Sequence, residues 1–282
     1  MQSEKSQILI KILRFIKIEH TAFSLPLLFT GAWLGTGRQW PAVSVLGLIV
    51  AAAVGARVFG MAFNRIFDRH IDARNPRTAG RELPAGVLTL RTALAIALGG
   101  LGVYLAACAL LGRWCLILSP LPLIPLLGYS LLKRYTALCH FGIGLCLALA
   151  PLGAFVAAAG HPYFTAEVVV FAGFVFFWLS GADIIYALMD LEHDRAHGIH
   201  SIPATLGSTG AQAVAAGVHG IALCCLVVLL FLTGAGWIAM LGLLVTAGLF
   251  VMMYLPFIPV PQRFFPIATL AGVSGAITPI LS

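Results

Sequence analysis

Apolar residues in this chain gather into runs of roughly 20, the length a helix needs to cross the hydrocarbon core of a bilayer. The runs predict about nine transmembrane helices, at 20–36, 42–63, 89–111, 114–132, 140–160, 165–189, 209–233, 236–257 and 264–281. Short alternating segments of the kind a membrane β-barrel needs are missing. Small turns such as Gly35-Thr36-Gly37 and Gly234-Ala235-Gly236 separate several spans. The run 114–132 holds Pro120, Pro122 and Pro125, which predicts a kinked or broken helix. Polar residues concentrate in two long connections, from about Arg65 to Leu88 and from about Asp190 to Gly207, and in a shorter one at Lys133-Arg134-Tyr135. The expected fold is an all-α polytopic membrane protein, with residues 1–282 forming one domain.

Composition strengthens this picture. Hydrophobic residues make up 60% of the chain and charged residues only 10%, where a soluble domain averages about a quarter charged. The net charge of +7 does not point to nucleic acid, because of where the cations lie. With a cytoplasmic N-terminus, only Arg38 and Arg113 of the 17 Lys and Arg residues fall on the far side, and Arg57 lies within a span. That is a positive-inside distribution, which places the polar connections in the cytoplasm and the protein in the inner membrane. The six cysteines form no C-x-x-C pair and read as small packing residues. The first 20 residues interleave Lys and Arg with Ile and Leu, without a small-residue cleavage site, and predict an interfacial amphipathic helix.

All five aspartates fall in two clusters. Asn64, Asp68 and Asp72 recur every fourth residue at the end of the second span, so they share one helical face. Asp183, Tyr186, Asp190 and Asp194 follow at steps of three, seven and eleven, which return to one face of a regular helix. Stacked like charges destabilise a helix, and an ionisable group at membrane depth costs more still. Carboxylates completed by phosphate oxygens and water describe a Mg²⁺ site that offsets this cost. A solvated helix end accounts for Asp72 or Asp194 alone, but not for Asp183, which lies about two turns deeper.

Basic residues flank both clusters. Arg74, Arg77, Arg81 and Lys133-Arg134 suit diphosphate oxygens left free by the metal, whereas Arg65, Arg69, Arg91 and Arg263 read as topology-setting charge. Arg57 lies seven residues before Asn64, so it points to the same cavity. Its partner is either a protein carboxylate such as Asp183 or an anionic substrate. His193, His197 and His200 have metal-ligand spacing, but Gly198 and Pro203 interrupt the helix a zinc site would use. Gly142-Ile-Gly144 lacks the third glycine and the strand of a dinucleotide fingerprint.

The motifs Asn64-x-x-x-Asp68-x-x-x-Asp72 and Asp183-x-x-Tyr186-Ala187-x-x-Asp190-x-x-x-Asp194 resemble the two signatures of the UbiA superfamily of intramembrane prenyltransferases. The loop Asn75-Pro-Arg-Thr78-Ala-Gly-Arg81-Glu-Leu-Pro84-Ala-Gly86 resembles the segment that follows the first signature. The start, Lys17-Ile-Glu19-His20-Thr21 with Ser24-Leu25-Pro26, is similar to the 4-hydroxybenzoate polyprenyltransferase-like branch. The resemblance implies spans around a central cavity capped by cytoplasmic loops. It also implies transfer of a polyprenyl group from its diphosphate to an aromatic acid, in ubiquinone synthesis or the futalosine route to menaquinone. Mg²⁺ would be held by Asn64, Asp68, Asp72, Asp190 and Asp194. The diphosphate would be held by Asn64, Arg77, Arg81, Lys133 and Tyr186. Asp183, Arg57 and Tyr129 would serve catalysis, with Asp183, the more buried acid, orienting the acceptor or assisting proton removal. Phe174, Phe176, Phe177 and Trp178 line the prenyl groove or pack toward lipid.

Haem, chlorophyllide and glycerol-lipid acceptors are alternatives within prenyl transfer. A Mg²⁺ transporter is the alternative outside it, and it predicts acids along a path to the far face. The far-side turns carry Glu167 at most.

Overall fold

The computed structural model describes Phe15 and residues 19–282. The interfacial helix expected at the N-terminus and the Lys17 end of the branch motif lie outside the described residues. The helices are α1 (Glu19–Gly35), α2 (Val43–Arg74), α3 (Leu90–Leu111), α4 (Arg113–Leu118), α5 (Pro120–Leu132), α6 (Cys139–Ala159), α7 (Ala166–Ala187), α8 (Leu191–Ala196), α9 (Ile202–Thr233) and α10 (Trp237–Met252). A last span, Val260–Leu281, contains a π-helical stretch, Arg263–Ala268. Among the described residues, seven helical segments are long and apolar enough to cross a membrane, and Ser24–Gly35 and Trp237–Met252 add two shorter apolar helices. Among the described residues these segments correspond to the roughly nine spans expected of a polytopic membrane protein.

Helix α2 has 32 residues, so at 1.5 Å per residue it is about 48 Å long. A hydrocarbon core of ≈ 30 Å uses about 20 of them. Counted from Val43, the apolar layer ends near the residue before Asn64. The remaining turns carry Asn64, Asp68 and Asp72 out of the bilayer as continuous helix. The first polar connection therefore begins at Asn75, about ten residues later than its polarity suggested.

α2 packs most extensively on α3, and α7 on α9 and α6. The α2–α3 crossing depends on glycine. A Cβ on Gly55 would stand 2.6 Å from the Tyr104 backbone nitrogen, and one on Gly100 would stand 2.9 Å from the Gly55 carbonyl oxygen. Close backbone approach through small residues is the usual packing of membrane helices, where the apolar effect between helices is weak.

The proline-rich run breaks as expected, with Ser119 separating α4 from α5. Pro120 cannot donate to the Leu116 carbonyl four residues earlier, and the Ser119 hydroxyl takes that acceptor at 2.8 Å. The second polar connection differs from expectation. α7 ends at Ala187, a 3₁₀ turn covers Leu188–Asp190, and α8 is a separate short helix. α9 then begins at Ile202 rather than 209, with a kink at Gly207 whose φ is +72°. Gly207 looked like a helix boundary because a left-handed glycine ends many helices.

Phe174 and Trp178 do not line a groove. Both are fully buried, with Phe174 against Gly275 and Trp178 against Gly272. The Trp178 indole N–H donates to the Ala268 carbonyl at 2.9 Å.

Candidate active site

Three acids at the ends of α2 and α7 each pair with a cation from a connecting segment. Lys133 Nζ, just past α5, lies 2.7 Å from Asp68 Oδ2. Arg81 Nη1 lies 2.7 and 2.8 Å from the two oxygens of Asp72. Arg77 donates through Nε to Asp190 Oδ1 at 2.8 Å, and through Nη2 to the other oxygen. Its Nη1 donates to the Tyr186 hydroxyl at 2.8 Å. Burial alone works against the Arg77 charge, but these bonds hold its pKa above the ordinary arginine value. Polar neighbours orient the set: Asn64 Nδ2 donates to Asp68 Oδ2 at 2.9 Å and to Ser130 Oγ at 3.2 Å, and Asn75 Nδ2 donates to Asp190 Oδ1 at 2.7 Å. The loop after α2 thus delivers Asn75, Arg77 and Arg81 across to both clusters.

The second cluster does not lie along one helical face. Tyr186 and Asp190 both meet Arg77, whereas Asp183 meets His140 of α6 and Asp194 meets Ser201. The 3₁₀ turn at Leu188–Asp190 tightens the chain and takes Asp194 off the α7 register. Asp183 is also less buried than expected, since its side chain keeps 24% of its surface while Asp68 keeps 3% and Asp72 6%. Lys133 and Arg81 close over the latter two.

Below this cluster lies a cavity of about 380 Å³, with walls from α1 to α7 and from Phe264 of the last span. Its lining is almost wholly apolar, and it includes two of the expected site residues, Arg57 and Tyr129. Among the described residues no carboxylate lines it. Gly60 and Met61, one turn from Asn64, lie in its wall, so the acid cluster and the cavity are successive stretches of α2. Ser119 and Pro122 at the helix break also line it, so the break opens space as well as packing neighbours.

The donor set fits a hard divalent cation. Oδ1 of Asp68 is buried and has no hydrogen-bond partner, an arrangement that is costly unless a cation takes the oxygen. Among the described residues no three His, Cys, Asp or Glu side chains form a ready-made metal cage. Mg²⁺ needs none, because it retains water and takes phosphate oxygens beside one or two carboxylates. His193 and His197 stack at 4.1 Å between ring centres, and they belong to no such cage.

Sequence spacing missed Asn75, Ser130, His140 and Ser201, of which the first three contact a predicted residue from a distant segment and Ser201 contacts Asp194 seven residues away. Arg65, read from the sequence as topology-setting charge, is only 4% exposed and has a buried Nε without an acceptor among the described residues. It lies in the electrostatic surroundings of Arg81 and Asp72, beside the cluster.

The profile of the UbiA prenyltransferase family matches residues 24–261. The chain belongs to the UbiA prenyltransferase family. It is therefore a multi-pass membrane transferase of prenyl groups. A protein of Nitrosomonas europaea named 4-hydroxybenzoate octaprenyltransferase is 33% identical over 235 residues, covering 79% of this chain and 75% of its own length. The bacteriochlorophyll synthase 33 kDa chain of Cereibacter sphaeroides is 34% identical over 221 residues, 72% of this chain and 67% of its own. The apo structure of a UbiA homolog from Aeropyrum pernix K1 shares 36% identity, with a TM-score of 0.79 over 94% of this chain and 95% of that one. A UbiA homolog from Archaeoglobus fulgidus, bound to GPP and Mg²⁺, has the same fold at 20% identity, with a TM-score of 0.64 over 95% of this chain and 99% of that one.

Proposed function

We propose that this prenyltransferase moves a polyprenyl group from polyprenyl diphosphate to 4-hydroxybenzoate, in quinone biosynthesis at the inner membrane. The whole chain acts as one domain, with the acid cluster on the cytoplasmic side where the Lys and Arg residues concentrate. One juxtaposition carries the reading: an acid–cation cluster sits directly above an apolar cavity whose wall holds Arg57 and Tyr129. The name of the Nitrosomonas europaea relative agrees with it, whereas that of the Cereibacter sphaeroides relative names a different acceptor. A cavity of about 380 Å³ suits one aromatic ring with the start of an isoprenoid chain, and a wall without acids among the described residues does not suit a Mg²⁺ path.

Asp68, Asp72, Asp190 and Asp194, with Asn64, are the groups to hold Mg²⁺, which supplies charge neutralisation at the diphosphate leaving group. Lys133, Arg81 and Arg77 now face these acids and are within reach of diphosphate oxygens. Exchanging carboxylate for phosphate, they stabilise the negative charge that develops as the allylic C–O bond breaks. Tyr186 fixes the Arg77 guanidinium. The apolar cavity excludes water from the allylic cation, and Tyr129 presents its ring and hydroxyl there. Arg57 holds the acceptor carboxylate. The electron-rich ring attacks the cation, and Asp183 takes the proton from the ring carbon that was attacked.

Arg57 gives the sharpest test of acceptor class. Replacing it with Met raises the KM for 4-hydroxybenzoate by about 10- to 100-fold, the size expected when a hydrogen bond to a charged group is lost. The KM for 4-hydroxybenzamide stays nearly constant. Initial rates with the two acceptors, followed by mass of the prenylated product, check this. Equal effects on acid and amide remove Arg57 from acceptor binding, and selective prenylation of a tetrapyrrole points instead to the chlorophyllide alternative.

A further inference from the structure

Asp183 is held by a residue that the reaction scheme above does not use. His140, the second residue of α6, is only 2% exposed, and its Nδ1 lies 2.7 Å from Asp183 Oδ2. Its other ring nitrogen is also engaged, because the Ile202 backbone N–H donates to Nε2 at 3.3 Å. With Nε2 accepting from the Ile202 N–H, the ring proton is assigned to Nδ1. That proton is donated to Asp183. The N-terminus of α9 thus sets the tautomer that binds the carboxylate.

The same helix end also secures the second cluster. Ser201 caps α9 by accepting from the Ala204 N–H at 3.2 Å, and its hydroxyl donates to Asp194 Oδ2 at 3.0 Å. Asp183 and Asp194 are therefore both tied to residues 201–202, although they come from different helices. The pair sits beside the cavity, since Leu179, one turn before Asp183, and Ile143, almost one turn after His140, both line its wall.

We infer that His140 is the positioning residue for Asp183 in prenyl transfer. By donating to Oδ2 it fixes the carboxylate plane and leaves Oδ1 as the oxygen to take the proton; among the described residues Oδ1 accepts no hydrogen bond. The inference rests on the assignment of Asp183 as proton acceptor. In that step the ring C–H bond breaks, its electron pair restores aromaticity, and the proton moves to Oδ1 of Asp183. His140 does not take the proton, because Nε2 is occupied by Ile202 and Nδ1 already carries one. It keeps the accepting oxygen aligned with the ring carbon, as an outer hydrogen-bond partner orients a functional side chain.

Two substitutions separate this role from a purely structural one. His140→Asn places an amide N–H₂ near the position of Nδ1 and keeps the donor to Asp183, but loses the acceptor for Ile202. His140→Gln places a carbonyl near Nε2 and keeps the acceptor for Ile202, but loses the donor. The experiment compares kcat and KM for both variants and the unmodified enzyme, using 4-hydroxybenzoate carrying hydrogen or deuterium at the ring positions beside the hydroxyl. His140→Gln is expected to lower kcat by roughly 10- to 100-fold with KM nearly constant, and to raise the deuterium isotope effect above that of the unmodified enzyme. His140→Asn is expected to stay within a few fold in kcat, with the unmodified isotope effect. The isotope ratio is measured within one preparation, so a smaller folded fraction does not change it. Equal losses in both variants, a greater loss in His140→Asn, or an unchanged isotope effect in His140→Gln overturns the inference. Failure of the unmodified enzyme to prenylate the acid counts instead against the proposed function.

Discussion

Asp68→Asn lowers the rate of prenyl transfer by about 10³-fold, while the protein still elutes as a single folded species. This loss corresponds to about 4 kcal/mol of transition-state stabilisation, in keeping with the several kcal/mol a divalent ion supplies at a developing charge. Asp68 is chosen because its Oδ1 is buried and has no partner, so the folded structure leaves that oxygen to a cation. An amide in its place offers a neutral oxygen, and its N–H₂ faces the Lys133 ammonium that now sits 2.7 Å from Oδ2. Asp190→Asn is expected to be milder in binding Arg77, whose guanidinium also holds Tyr186. Initial rates at saturating Mg²⁺, with chromatographic homogeneity as the folding control, check the prediction. Retention of a tenth or more of the activity removes Asp68 from the reaction.

The second large effect concerns Asp183→Asn. A positioned general base contributes about 10²- to 10⁴-fold, and this variant loses kcat on that scale. Its KM for polyprenyl diphosphate stays close to that of the unmodified enzyme, because Asp183 contacts His140 and none of the residues that would hold the leaving group. Single-turnover measurements separate the two parameters. Full turnover in Asp183→Asn eliminates its role as proton acceptor and leaves it as an orienting contact only.

Much of the fold was legible because each of its causes is local. Apolar runs, turn glycines and Pro120 act within a few residues, and the nine spans emerge close to their expected bounds. The exceptions also have local causes. Continuous helix carries α2 to Arg74 because polarity does not end a helix when the bilayer does, and Gly207 kinks α9 without ending it. The site was legible only along single helices. Asn64, Asp68 and Asp72 lie on one continuous helix as the four-residue steps expected, whereas the helix carrying the second cluster is interrupted by a 3₁₀ turn before Asp194. Contacts made across sequence, such as Asn75 with Asp190, Ser130 with Asn64 and His140 with Asp183, leave no periodic mark.

The account stands most directly on one measurement. Purified protein in lipid nanodiscs is incubated with Mg²⁺, polyprenyl diphosphate and 4-hydroxybenzoate, and prenylated acid and released diphosphate are quantified together. The predicted result is one diphosphate released for each prenylated acid formed, with both abolished by removal of Mg²⁺ and restored by its return. The contradicting result is intact polyprenyl diphosphate with every aromatic acid offered, accompanied by Mg²⁺ crossing the bilayer when the same protein is placed in liposomes.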